Sequence, residues 1–348
     1  MVLILGVSAG AGGARALLTH SDQPHMPPVD RIHVPRRAGG SVAESVLTAI
    51  HRMRTAAAAR DEYISGTAVT CRDESQADAI RAAAGRADFV IVDEPLAQLR
   101  YLRYSGLLPA TDSVLLYDPG RSGLTITHAD CRAETILAGT RSTALSGDGY
   151  DALLRSRLAR SGVRTDAHAS REHRESLSRK RVVTAADADT GDRTVLTRSD
   201  LAALCEAGLR HSASFARLLI EETGAKPGAL VLLGGCTRNP SLRTDLARLI
   251  DLPIVYDPEP EYVSARGAVL LCARPSARLR MPCRGASVGV PPPRGHRKLL
   301  AAVAVTATLG GTVVGLLSNT APSARSPEPG TAPSTAHFID GAPHWKPN

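Results

Sequence analysis

Three short stretches combine an apolar run with glycines, the ingredients of a turn that can hold an anion. Leu3 to Val7 leads into Gly6-Val7-Ser8-Ala9-Gly10-Ala11-Gly12-Gly13. Val114 to Tyr117 ends at Asp118 and turns through Pro119-Gly120-Arg121-Ser122-Gly123 into Leu124 to Thr127. Leu230 to Leu233 ends in Gly234-Gly235-Cys236-Thr237-Arg238. Backbone N–H groups in such turns approach a phosphate closely because glycine puts no side chain in the way. Two carboxylates accompany them: Asp118 closes a strand, and Glu94 follows the strand Phe89 to Val92. Taken singly, each turn also reads as an ordinary turn. Asp118 also reads as a solvated strand-end carboxylate, and Glu94 as a helix N-terminal charge favoured by the dipole.

The elements that must position these residues alternate strand and helix patterns, which predicts an α/β architecture. A helical stretch spans about Glu44 to Arg60, a short strand Thr67 to Thr70, and an amphipathic helix Glu74 to Gly85. Pro240 suits the first turn of a helix running to about Ile250. The strand, Asp118 and glycine turn in the middle of the chain echo the unit at the N-terminus. At 348 residues the chain can bury a full core. Its net charge of +8 comes mainly from scattered arginines, without aromatic stacking residues among them, so nucleic acid is not the expected partner. Lysine occurs only at Lys180, Lys226, Lys298 and Lys346. Six separated cysteines with no CxxC pair fit a reducing cytosol rather than a metal site or disulfide framework. Met1 to Leu5 lacks a basic n-region and reads as a buried strand.

One segment reads differently. Leu299 to Leu317 holds nineteen residues without a charge, close to the length a helix needs to cross a hydrocarbon layer of about 30 Å. Arg294, Arg297 and Lys298 precede it, which places the N-terminal region in the cytoplasm and the tail outside. The Pro/Ser/Thr-rich residues 318–348 have too few apolar side chains to pack a core. The expected division is a first lobe over 1–110, a second over 111–273, a Pro/Arg-rich linker over 274–298, a transmembrane helix over 299–317 and an extracytoplasmic tail over 318–348.

The order of the motifs resembles the nucleotide-binding domain of the 70-kDa heat-shock chaperones. Ser75-Gln76 falls where that family has its DSQR helix, and Asp93-Glu94-Pro95-Leu96-Ala97 resembles its NEPTA segment. Asp118 to Gly123 sits at the second phosphate loop, DLGGGT, and Leu145 to Asp151 resembles LGGEDFD. Leu233 to Pro240 is similar to the adenosine loop VGGSTRIP, and Pro260 to Ala268 to the second connecting segment. The resemblance spans about residues 1–273. It implies an actin-like (ribonuclease H-like) two-lobed ATPase fold, with ATP or ADP and Mg²⁺ as cofactors. It gives Asp118 the role of orienting metal-bound water and Glu94 that of positioning the attacking water. Ser8, Gly10 and Gly12 match the first phosphate loop, and Gly120, Ser122 and Gly123 the second. Arg174, Ser178, Gly234, Gly235 and Arg238 match the adenosine side.

The chain departs from the family where the chemistry would occur. The first loop reads Ser8-Ala9-Gly10-Ala11-Gly12 where the family has DLGTT, so a metal-side aspartate is serine and both threonine hydroxyls are gone. No lysine precedes Lys180 to touch the phosphates, and Arg36 or Arg37 is the candidate replacement, although a planar guanidinium is not a lysine substitute. The outer part of the first lobe is short, with about fifty residues between the first loop and Ser65. Arg171 stands where a ribose-binding glutamate is expected, with Glu172 beside it. Losing one electrostatic element typically costs roughly 100- to 1000-fold in rate. No room remains for a peptide-binding domain. The expectation is a membrane-tethered, chaperone-like nucleotide-binding protein, with weak or absent hydrolysis, acting as a scaffold or regulator of a protein partner. The alternatives are an active Mg-dependent ATPase and a nucleotide-free interaction protein.

Overall fold

The computed structural model describes residues 2–272 apart from His25 and Arg86. The expected linker, membrane helix and tail lie outside the described residues. Among the described residues no helix is long and apolar enough to cross a membrane.

The described chain is a mixed α/β structure with two five-stranded sheets built to one plan. The first contains β1 (Val2–Gly10), β2 (Gly13–His20), β3 (Asp30–Pro35), β4 (Tyr63–Cys71) and β5 (Val90–Asp93), in the order β3-β2-β1-β4-β5. The second contains β6 (Ser113–Pro119), β7 (Leu124–Asp130), β8 (Thr135–Ser142), β11 (Leu230–Leu232) and β12 (Ile254–Tyr256), in the order β8-β7-β6-β11-β12 when taken from the matching edge. In both, an antiparallel meander supplies the first three strands, and two parallel strands complete the sheet. The first sheet carries α1 (Val42–Ala58), α2 (Glu74–Ala84) and then α3 (Glu94–Tyr104). The second carries α4 (Gly147–Arg160), α5 (Ala167–Leu177), a small hairpin of β9 (Val182–Ala186) and β10 (Arg193–Thr197), α6 (Arg198–Thr223), α7 (Pro240–Leu249) and α8 (Val263–Cys272).

Strands β1 and β6 are continuous apolar runs because each sheet is covered on both faces. Leu3, Leu5 and Val7 point to one side, against Val46, Ile50 and Met53 of α1. Ile4, on the opposite side, packs with Ala265 and Val269 of α8. In the second sheet Leu115 and Tyr117 face Leu209, Ala213 and Ala216 of α6. Val114 and Leu116 face Leu99 and Leu102 of α3. The last helix of each lobe therefore packs on the sheet of the other. The strands of the first sheet end at Asp93 and those of the second begin at Ser113, whereas α3 and α8 each pack across onto the other sheet.

The exchange needs close backbone approach. A Cβ on Gly6 would collide with the Ala265 carbonyl of α8, and one on Gly267 with the Ala97 carbonyl of α3. This corrects the reading of Gly6 to Gly13 as a single turn. Gly6 and Ser8 lie within β1, and the turn is only Ala11-Gly12, because Gly6 serves helix packing rather than chain reversal. Strands β2, β3 and β8, the β9–β10 hairpin and the 26-residue α6 are elements the sequence reading did not single out. A single helix, α1, connects β3 to β4, in line with a short outer region.

Candidate functional site

The two sheets bring their central hairpins to one cleft of about 470 Å³, within the range of ligand sites. In the first hairpin Gly10 pairs with Gly13, and Ser8 pairs with Arg15. In the second, Gly120 N–H donates to Gly123 O at 2.8 Å, and Asp118 pairs with Thr125. Counting back from each turn, Ser8 and Asp118 occupy the same position in equivalent hairpins. The serine is thus the structural counterpart of the aspartate, and an arginine faces it across the strands.

Neighbouring helix starts hold both turns. Gln76, in the first turn of α2, donates to Ala9 O at 3.1 Å and accepts from Arg72 N–H at 2.9 Å. The N-terminus of α4 docks on the second turn, with Gly147 N–H donating to Gly120 O at 3.0 Å and Asp148 N–H to Arg121 O at 2.9 Å. Ser146 caps this helix by accepting from Gly149 N–H at 3.0 Å, which fixes its start. Asp93 caps α3 in the same way through Leu96 N–H at 3.1 Å, placing Glu94 at the mouth of that helix. One turn along, Gln98 donates to Asp118 Oδ2 at 2.9 Å and contacts Ser264 Oγ of α8 at 3.1 Å.

The third glycine segment closes the far end. Gly234 has a φ of 72° and lies against Asp118, so that a Cβ there would strike Oδ1. Gly235 differs: its φ is ordinary and a Cβ would meet nothing within 4 Å. Neither backbone conformation nor packing demands glycine at 235, and the residue lines the cleft. Arg174 makes a buried ion pair with Asp151 at 2.6 Å, and Ser178 Oγ reaches Arg174 O at 3.5 Å. Arg238 forks onto Glu261, with its closest contact at 2.6 Å. Ser8, Gly10, Gly12, Glu94, Asp118, Gly120, Ser122, Gly123, Arg174, Ser178, Gly234, Gly235 and Arg238 all line this one cleft.

The cleft floor is electrostatically unusual. Burial raises the Glu94 carboxyl above its ordinary value, and the charge of Asp118 adds to the effect. Burial also raises Asp118, opposed by the hydrogen bond from Gln98 and by the charges of Arg141, Arg15 and Arg72. These three arginines line the cleft. Arg141 is held by Thr125 Oγ1 at 3.1 Å and Ser122 Oγ at 2.9 Å, both neutral acceptors. His33 sits nearby, pushed down to about 4 by burial and then by Arg15 and Arg171, so it is neutral at physiological pH.

The arginines that supply charge are therefore Arg15, Arg72 and Arg141. Arg36 and Arg37 do not line the cleft: Arg36 N–H closes on Gly12 O at 2.9 Å, and Arg37 pairs with Glu44 at 3.7 Å. Beside Arg174, Arg171 bonds Glu175 at 2.9 Å and both line the cleft, whereas Glu172 pairs with His168 at 3.6 Å. Arg15 was signalled by its place two residues beyond Gly13. Arg72 and Arg141 carried no local signal.

A divalent cation does not fit this donor set. Mg²⁺ wants oxygen ligands in octahedral array, usually carboxylates, waters and substrate phosphates. Here a neutral hydroxyl, Ser8, holds one of the two hairpin positions, and cationic Arg15 stands across from it. Asp118 has one oxygen committed to Gln98 and the other packed on Gly234. Among the described residues no group of three or more His, Cys, Asp or Glu side chains converges to hold a metal ion. No lysine lines the cleft. No protein-family model matches the chain.

Proposed function

We propose that this chain is a divergent relative of the 70-kDa heat-shock nucleotide-binding domains, with an actin-like fold, which binds an adenine nucleotide in the cleft between its lobes. The observation that carries this reading is convergence. The first turn, Glu94, Asp118 to Gly123, Gly234 to Cys236 and Pro260 to Ser264, picked from the sequence for their motif order, line one cavity, while Gln76 and the Gly147–Asp148 helix start bond to its turns. The repeated sheet plan and the exchanged helices support the two-lobed assignment. The open space at Gly235 supports an adenosine end, since a ligand face can lie against bare backbone there.

Turnover in such a site is weak or absent. No lysine lines the cleft to meet the phosphates, and the first turn, Ser8 to Gly12, offers no threonine hydroxyl. The role is then that of a nucleotide-sensitive scaffold or regulator for a protein partner. Clefts that close on a ligand move one lobe against the other, and the motion can be read by whatever touches both. The apolar run 299–317 would tether the module to the cell membrane with the nucleotide domain inside.

The test is equilibrium binding of a fluorescent ATP analogue to the full-length chain in detergent, competed with ADP and adenosine. Saturable binding displaced by both competitors is expected, with hydrolysis near background. Absence of binding at millimolar nucleotide would leave the nucleotide-free scaffold as the reading. Steady turnover lost in Asp118→Asn would instead establish an active ATPase.

A further inference from the structure

The phosphate end of the cleft carries more positive charge than its own acceptors balance. The Arg15 side chain makes no hydrogen bond or ion pair among the described residues, although it lines the cavity. Arg141 is oriented by two hydroxyls, which fix its plane without offsetting its charge. Arg72 spends one nitrogen on Asp73 at 3.0 Å and leaves the rest of its fork toward the cleft. Their elements are separate: Arg15 is on β2, Arg72 follows β4, and Arg141 is on β8 of the other lobe. Three guanidinium groups brought together from two lobes repel one another unless an anion lies between them. Burial and the charge of Arg72 hold Arg141 below its ordinary value, although Asp118, Asp73 and Glu94 offset part of the effect.

We infer that Arg15, Arg72 and Arg141 form a metal-free polyphosphate site, in which guanidinium forks supply the charge that a divalent cation and a lysine would otherwise bring. The inference rests on the nucleotide reading only for the adenosine end; the anion site stands on the arginines themselves. Guanidinium is suited to this because its planar donors grip phosphate oxygens in pairs and it never loses its proton.

The experiment compares ATP, adenosine and inorganic tripolyphosphate on the full-length chain in detergent, by calorimetry, in excess EDTA and in millimolar Mg²⁺. ATP and tripolyphosphate are expected to bind in EDTA at least as tightly as with Mg²⁺. Arg15→Gln should narrow the affinity gap between ATP and adenosine about tenfold, since one charge-assisted contact contributes about 1.4 kcal/mol or more. Arg15→Lys should restore part of that gap. Arg15 has no partner to lose, and an unchanged melting temperature in the variant confirms that the fold is intact. ATP binding that appears only with Mg²⁺ would overturn the metal-free site while leaving the nucleotide reading in place. Tripolyphosphate binding in EDTA without any adenosine or ATP selectivity would keep the anion site and remove the nucleotide. No binding of any probe would remove both.

Discussion

Glu94 and Asp118 share the floor of a cleft that partly shields both from water, and each carboxyl sits above its ordinary range chiefly through burial. A raised acid holds, in the folded chain, a proton that the unfolded chain gives up. Its stabilising contribution is therefore complete below the ordinary carboxylate range and is lost as pH rises through the folded value. Other carboxylates work in the opposite sense: Asp73 and Asp200 are held down, Asp73 first by the Gln76 amide and Asp200 first by the Thr197 hydroxyl. The signature must therefore be read as a difference between variants. Glu94→Gln should match the parent's stability at acid pH and exceed it at neutral and alkaline pH. A gain of about 1 kcal/mol would appear as roughly 2–4 °C in a thermal melt of a chain this size. A variant that melts at or below the parent at every pH would show that Glu94 is ionised without cost.

At the scale of elements, two glycines make opposite predictions. Gly267 lies where α8 crosses α3, and a Cβ there would overlap the Ala97 carbonyl. Gly267→Ala should destabilise the chain by roughly 1–3 kcal/mol, the usual range for overpacking, or prevent folding. Gly235→Leu adds a larger side chain where nothing lies within 4 Å, so stability should change by about 0.5 kcal/mol or less while nucleotide affinity collapses. Thermal melts and binding isotherms on both variants check the pair. Equal affinity in Gly235→Leu would mean that the adenosine end lies elsewhere. Much of this layout was legible in the sequence, because β1, β5, β6 and β11 are apolar runs that lead into glycine or aspartate. The start of α7 was legible too, through Pro240 in its first turn. Strand β8 was not, since its residues are largely solvent-facing and lack an apolar run. Nor was the exchange of α3 and α8: an amphipathic helix shows that it has a buried face but not which sheet buries it. The glycine and carboxylate positions of the site are local signals and could be read. Arg72 and Arg141 reach the cleft only through tertiary packing of a strand end and an edge strand, and nothing in their flanking residues announces it.

For the molecule as a whole, the exchange decides how the lobes behave. Without α8, the first sheet would expose Ile4 and Leu17 on one face; without α3, the second would expose Val114, Leu116 and Val231. Each helix also touches its own sheet, Ala97 of α3 packing with Ala68 and Val92 of the first and Val263 of α8 with Val114 and Leu116 of the second, so the two helices together cover the facing sides. Gln98 ties the exchange to the site, since it links α3 to Asp118 on β6 and to Ser264 on α8. Two domains joined by a linker would unfold separately and respond separately to a ligand. Here the described residues should unfold in one cooperative transition, and any ligand held in the cleft should shift the whole of it. The expected gain is about 2.7 kcal/mol when free ligand stands at a hundred times its dissociation constant. Differential scanning calorimetry of the full-length chain, with and without ATP in EDTA, reads both features. A second transition that stays fixed while the first moves would mean that the lobes are energetically independent. In that case the exchanged helices would be packing without coupling, and a nucleotide bound to one lobe would have no route to a partner on the other. A single transition that rises with ligand would instead make the cleft the control point of the entire module, because no part of either sheet could then loosen without releasing what the cleft holds.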